Sequence, residues 1–156
     1  MSHNLYAPPL ASLDGAPDAP VAPALWNPSA AARWSLLFTP VFGAFLHMRN
    51  WQALGSETEA RQSRNWIIFN VAFLLVVAVL PDSRAVDVVS RVGGLALLVA
   101  WYAGLGREQT RLVAQRYGGS YPRRGWTRPL LCALCIMIAW IAVLIGLAVA
   151  LGQTDF

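Results

Sequence analysis

Residues 129–154 read PLLCALCIMIAWIAVLIGLAVALGQT, 26 consecutive positions between Arg128 and Asp155 with no charged side chain. As a helix this run is about 39 Å long, and the hydrocarbon core of a bilayer is about 30 Å thick. It reads as a membrane-spanning helix, starting near Thr127 and ending at about residue 151, with a short tail at 153–156. The composition agrees: 56% of the 156 residues are hydrophobic and 13% charged, against about 25% charged in a soluble domain. The missing charge fits an outer surface that faces lipid.

Three more apolar segments precede this one. The first opens with Asn27 as N-cap and Pro28 at the first helical position. It is expected to run as one helix over 28–54, kinked at Pro40 and stopped by Gly55. The second, 57–80, is introduced by Ser56 and Glu59 in capping-box spacing and ends at Pro81. The Gly55-Ser56 joint sets these two helices antiparallel. The third is expected over 84–117, with Gly118-Gly119 as its stop. The charge-free runs are 17 residues between Arg64 and Asp82, and 15 each between Arg33 and Arg49 and between Arg91 and Arg107. Fifteen residues reach only about 22 Å, so segments one and three depend on flanking Arg side chains snorkelling to the interface.

Charge asymmetry orders the segments. All twelve basic residues are Arg, a bias that a GC-rich coding genome would produce without functional cause. Nine lie in two loops: Arg49, Arg61 and Arg64 at 49–65, and Arg107, Arg111, Arg116, Arg123, Arg124 and Arg128 at 106–128. Basic loops stay in the cytoplasm, so segment three must cross between them. The expected fold class is all-α: an antiparallel bundle of four transmembrane helices within 27–152. Three spans plus a re-entrant or interfacial first segment is the alternative, with Arg33 joining the nine. Residues 1–26, rich in Pro and Ala, are expected to be a disordered tail closed by Trp26 at the interface. They show no basic start followed by an apolar core, so no cleavable signal peptide is expected.

The opening residues Asn4-Leu5-Tyr6-Ala7-Pro8-Pro9 resemble the Asn-Pro-Tyr-Ala-Pro-Pro tail of many uncharacterised small multi-pass membrane proteins of proteobacteria, with Leu5 departing from the pattern. The resemblance implies a bacterial inner-membrane setting and carries no site residues or activity.

Candidate sites are few. The six Arg of 106–128, interleaved with Tyr117, Tyr121 and Trp126, could dock anionic lipid headgroups or an acidic protein partner, or could merely secure orientation. No stacking or groove-reading module accompanies them, so nucleic acid is not expected. Asp87 and Arg91 are spaced to pair on one helix face. His47, beside Arg49, reads as an interfacial residue. Cys132 and Cys135 read as a buried, reduced, inert pair. Small residues at four-residue spacing, Ala96, Ala100 and Gly104 in segment three and Ala142, Gly146 and Ala150 in segment four, would let the chain's own helices pack closely. No catalytic, metal or cofactor motif is present, and no cofactor is expected. The expected role is a non-enzymatic inner-membrane protein acting through a protein partner, as a scaffold, regulatory or immunity-type component. A small transport or channel component is the alternative, with Asn70, Ser90 and the Pro40 kink as its only polar features.

Overall fold

A computed structural model describes residues 21–81 and 83–150. Residues 1–20 of the expected disordered stretch 1–26, the Asn4–Pro9 motif, the helix end at 151 and the tail 153–156 lie outside the described residues. Leu25 and Trp26, at the end of that stretch, are instead ordered by hydrogen bonds to residues 122–125. Within them the chain is helical, with no strand beyond an isolated parallel bridge between Leu25 and Arg123. The elements are α1 (Pro28–Phe38), α2 (Pro40–Ala53), α3 (Glu57–Val79), α4 (Arg84–Trp101), a π turn (Tyr102–Gly106), α5 (Arg107–Tyr117) and α6 (Thr127–Ala150). Three helices are long and apolar enough to cross a membrane: Glu57–Val79, the continuous Arg84–Tyr117, and Thr127–Ala150.

Segment one is therefore not a fourth long helix. It breaks at Thr39, whose φ of 104° and ψ of 158° leave the helical region, and α2 folds back along α1. Pro40 has no N–H to offer the Leu36 carbonyl, and a residue before proline is pushed out of the helical region. The pairing is antiparallel. His47 Nε2 lies 3.2 Å from the Pro28 carbonyl, while Asn50 bonds the backbone of Trp26. Nearer the tip, a Cβ on Gly43 would collide with the Ser35 hydroxyl and the Trp101 ring. The expected kink is a full reversal because small residues face each other across it.

The ends of the elements follow local chemistry. Asn27 Oδ1 accepts from Ser29 N at 3.1 Å and Ala30 N at 3.4 Å, the N-cap that its sequence position announces. Ser56 precedes α3 but makes no side-chain cap, so the expected capping box is not formed. Gly55 (φ 74°) and Gly118 (φ 58°) supply the left-handed residues that end α2 and α5.

From the Gly55 turn, α3 runs away from what we call the base, the end where residues 25–27, 49–56 and 109–126 meet. It packs on α2 through Ala60, Ser63 and Asn70, a three-then-seven spacing that keeps one stripe inward. After Pro81, α4 returns beside α3, with the Phe73 ring over Gly93. The third helix runs over Arg84–Tyr117, and the π turn within it has a geometric effect. Trp101 and Gln109 are eight residues apart, which in a regular helix puts them about 80° apart around the axis. The extra residue of the π turn brings them to within about 20°, so both face the α1–α2 hairpin.

α6 rises alongside α1 with Ala133 as its buried residue, and further up Leu144, Leu147 and Ala148 share a cleft with Ala78–Pro81. Its other faces stay uncovered, with Ile136, Ile138 and Ile145 each more than half exposed. Val99 on α4 and Leu75 and Val79 on α3 do the same. Such uncovered apolar surface suits lipid.

Candidate functional site

The base of the molecule holds the linked pair of buried amides, Asn50 and Gln109, and most of its charge. At its centre Asn50, fully buried, makes three hydrogen bonds. Its Oδ1 accepts from Trp26 N at 3.0 Å, and its Nδ2 donates to Trp26 O at 2.8 Å and to Gln109 Oε1 at 3.2 Å. Gln109, also fully buried, donates from Nε2 to the His47 carbonyl at 2.9 Å. One amide pair thus clasps the chain entering α1, the end of α2 and the start of α5. His47, Asn50 and Gln109 are polar, and Leu46, Trp51, Trp101 and Val113 pack around them.

His47 is not the solvated interfacial residue its neighbour Arg49 suggests. It lies outside the three spanning helices, at the open end of the hairpin, with no exposed surface and edge-on to Trp101 at 5.0 Å between ring centroids. Burial lowers its pKa to about 4, partly opposed by the Pro28 carbonyl beside Nε2. His47 Nδ1, Trp51 Nε1, Trp101 Nε1 and Ser63 Oγ are buried with no hydrogen-bond partner among the described residues.

The arginine-rich segment is partly helix and partly an ordered loop. Arg107, Arg111 and Arg116 project from α5, and Arg123 and Arg128 are also exposed. The loop is pinned by Leu25, which donates to Pro122 O and accepts from Arg124 N, both at 2.9 Å. Trp26 Nε1 donates to Gly125 O at 3.1 Å, and the Arg124 guanidinium lies 4.7 Å from the Trp26 ring centroid, a cation–π contact. Arg123 sits over Tyr121 and Arg116 over Tyr117 at 5.8 and 5.6 Å. Trp26 thus ties the loop to the hairpin.

The other sequence candidates fall elsewhere. Asp87 and Arg91 pair at 2.7 Å on the exposed start of α4. Asn70 is buried but turns its Nδ2 back to the Trp66 carbonyl, and Ser90 Oγ donates to Asp87 O; neither lines a path. Cys132 and Cys135 are free thiols and exposed rather than buried, because α6 packs by a single narrow face and they lie off it. Ala96, Ala100 and Gly104, and Ala142, Gly146 and Ala150, are likewise exposed, with nothing near a Cβ built on Gly104 or Gly146. Close packing within the chain uses Gly43 and Gly93 instead. Sequence alone does not single out Asn50, Gln109 or Trp101. A lone amide near each helix end is the available signal, but the helices do not name each other.

Among the described residues no three His, Cys, Asp or Glu side chains gather as metal ligands would. Comparison with known protein families, curated proteins and solved structures finds none that matches the chain.

Proposed function

We propose that this is a three-span inner-membrane protein of bacteria whose α1–α2 hairpin enters the bilayer from the base and returns, and that the base faces the cytoplasm. Eleven residues of α1 reach about 16 Å, half of a core about 30 Å thick. With both hairpin ends at the base, Arg33 joins the nine Arg of the two loops, leaving only Arg84 and Arg91 at the far end. A ten-to-two split fits the positive-inside rule better than the nine-to-three of four spans. An alkaline phosphatase fused after Ala150 should be active, and one fused at Gly119 inactive. In a Cys132→Ser, Cys135→Ser background, Ala24→Cys should react with a membrane-impermeant thiol reagent only after spheroplast lysis. Labelling of intact spheroplasts would restore the four-span arrangement.

The role supported best is non-enzymatic: a scaffold, regulatory or immunity-type protein that presents this base to a protein partner. The observation carrying it is the pinned 121–126 loop, since ordering a loop beforehand lowers the entropy cost of docking. Arg124 is held on Trp26 and is left in place for the test. Exchanging Arg107, Arg111 and Arg123 for Lys keeps the charge that sets orientation and removes the planar fork that grips carboxylates. A partner cross-linked by the native chain and lost from the triple variant, at equal membrane abundance, would bear the reading out; equal capture would count against it. The broken helix tip at half depth favours a second reading, a small transport component, because non-helical backbone at that depth is otherwise rare. Ion or solute flux in proteoliposomes would distinguish it.

A further inference from the structure

A groove separate from the 106–128 loop opens at the base between α2 and α3. It measures about 610 Å³, inside the range of about 300–1,000 Å³ common to small-molecule sites. Met48 and Gln52 line it from α2, Arg61 and Arg64 from α3, with Gly55 and Glu57 at the turn. Gly55 leaves the mouth open, since a Cβ there would touch nothing within 4 Å. Arg61 and Arg64 are one turn apart on the same helix face, with Cβ atoms about 5–6 Å from each other. Arg49 donates to Gln52 Oε1 at 3.3 Å and so brings a third guanidinium to the rim. Against these three cations stands the single carboxylate of Glu57, and among the described residues the only ion pair is Arg91–Asp87. The lining residues and Arg49 therefore carry two net positive charges, and none of the three guanidinium groups is in an ion pair among the described residues.

Its depth narrows the choice of ligand. Arg64 is the last charge before the 17-residue uncharged run 65–81 that fills the rest of α3, so it marks the level where hydrocarbon gives way to headgroups. A ligand here meets the guanidinium groups of Arg61 and Arg64 from α3 and the apolar side chain of Met48 from α2 at the same level. We propose that this groove binds the phosphate of an anionic phospholipid headgroup, held between Arg61 and Arg64 by charge-assisted hydrogen bonds with its chains running up α3. The site rests on the chain being in a membrane and is independent of any protein partner.

The test uses the full-length protein purified in a non-ionic detergent, with dioleoylphosphatidylglycerol as probe and bound lipid read by native mass spectrometry. Arg61→Gln with Arg64→Gln should lower apparent affinity about tenfold or more, the scale of losing one bidentate charge-assisted contact. Arg107→Gln with Arg111→Gln removes the same charge from α5 and should change it less than about twofold. Gln52→Trp fills the groove without altering charge and should match the first variant, which separates a site from general attraction. Glycerol 3-phosphate should fail to displace the lipid. Equal losses from both Arg pairs, or full binding by the Gln52→Trp protein, would overturn the site. Displacement by glycerol 3-phosphate would overturn the lipid in favour of a soluble phosphate ligand.

Discussion

Replacing Asn50 by Ala removes the one side chain that binds all three parts of the clasp. Three hydrogen bonds disappear, two to the Trp26 backbone and one to Gln109, each worth about 1 kcal/mol net. The consequences for the stranded partners differ. Trp26 is half-buried, so water can reach its backbone groups in part. Gln109 is fully buried, and its orphaned Oε1 adds about 1–2 kcal/mol of desolvation. The total is about 4–5 kcal/mol, at the upper end for a single substitution. The assay is equilibrium unfolding of the purified protein in mixed micelles, followed by Trp fluorescence. A double-mutant cycle with Gln109→Ala isolates the amide pair, for which hydrogen bonds between membrane helices suggest a coupling of about 0.6–1.7 kcal/mol. An Asn50→Ala protein within about 0.5 kcal/mol of the native chain, or a coupling of zero, would refute the clasp.

Two further outcomes follow from the same region. Gly43→Ala drives a methyl group into Ser35 and Trp101 and should destabilise by about 1–3 kcal/mol, the usual cost of overpacking, whereas Gly146→Ala, in open space, should be silent; equal melting temperatures for the two would mean α2 does not lie against α1. Acidification should loosen the base through His47: its folded pKa of about 4 lies below the unfolded value of about 6.5, so the unfolded chain takes up the proton first. Stability is then full above about pH 6.5 and falls as the pH drops towards 4, by up to about 3 kcal/mol. His47→Gln should flatten that slope in pH-dependent melting, and an unchanged slope would show that other groups set it.

The sequence shows its spans plainly and its clasp hardly at all, and the difference is physical. Runs such as 129–154 are legible because solvation by lipid acts on each residue independently. Caps such as Asn27-Pro28 and stops such as Gly55 are local and equally legible. The reversal at Thr39 is not, because Pro40 alone permits either a kink or a break. What decides it is Gly43 meeting Ser35 on α1 and the ring of Trp101 at the far end of α4. The small-residue stripes mislead for a related reason. In lipid an exposed apolar face carries no penalty, so composition does not reveal which face turns inward. The π turn then shifts the inward face of α4 by one residue relative to α5, beyond the reach of any regular periodicity. Asn50 and Gln109 are single amides 59 positions apart, and only the fold introduces them.

That separation also sets an order of events during synthesis. Segment one leaves the ribosome long before Gln109 exists, and at about 5–20 residues per second the 59 residues from Trp51 through Gln109 take about 3–12 s to make. The Pro122–Arg124 stretch that pairs with Leu25 is made later still. Through that interval the two short helices lack the length to cross alone and have only their own contacts, Asn50 with Trp26 and His47 with Pro28, to hold them back to back. The contacts with Gln109 and with Pro122–Arg124 are therefore the last to form, and the hairpin is closed from behind by chain made after it.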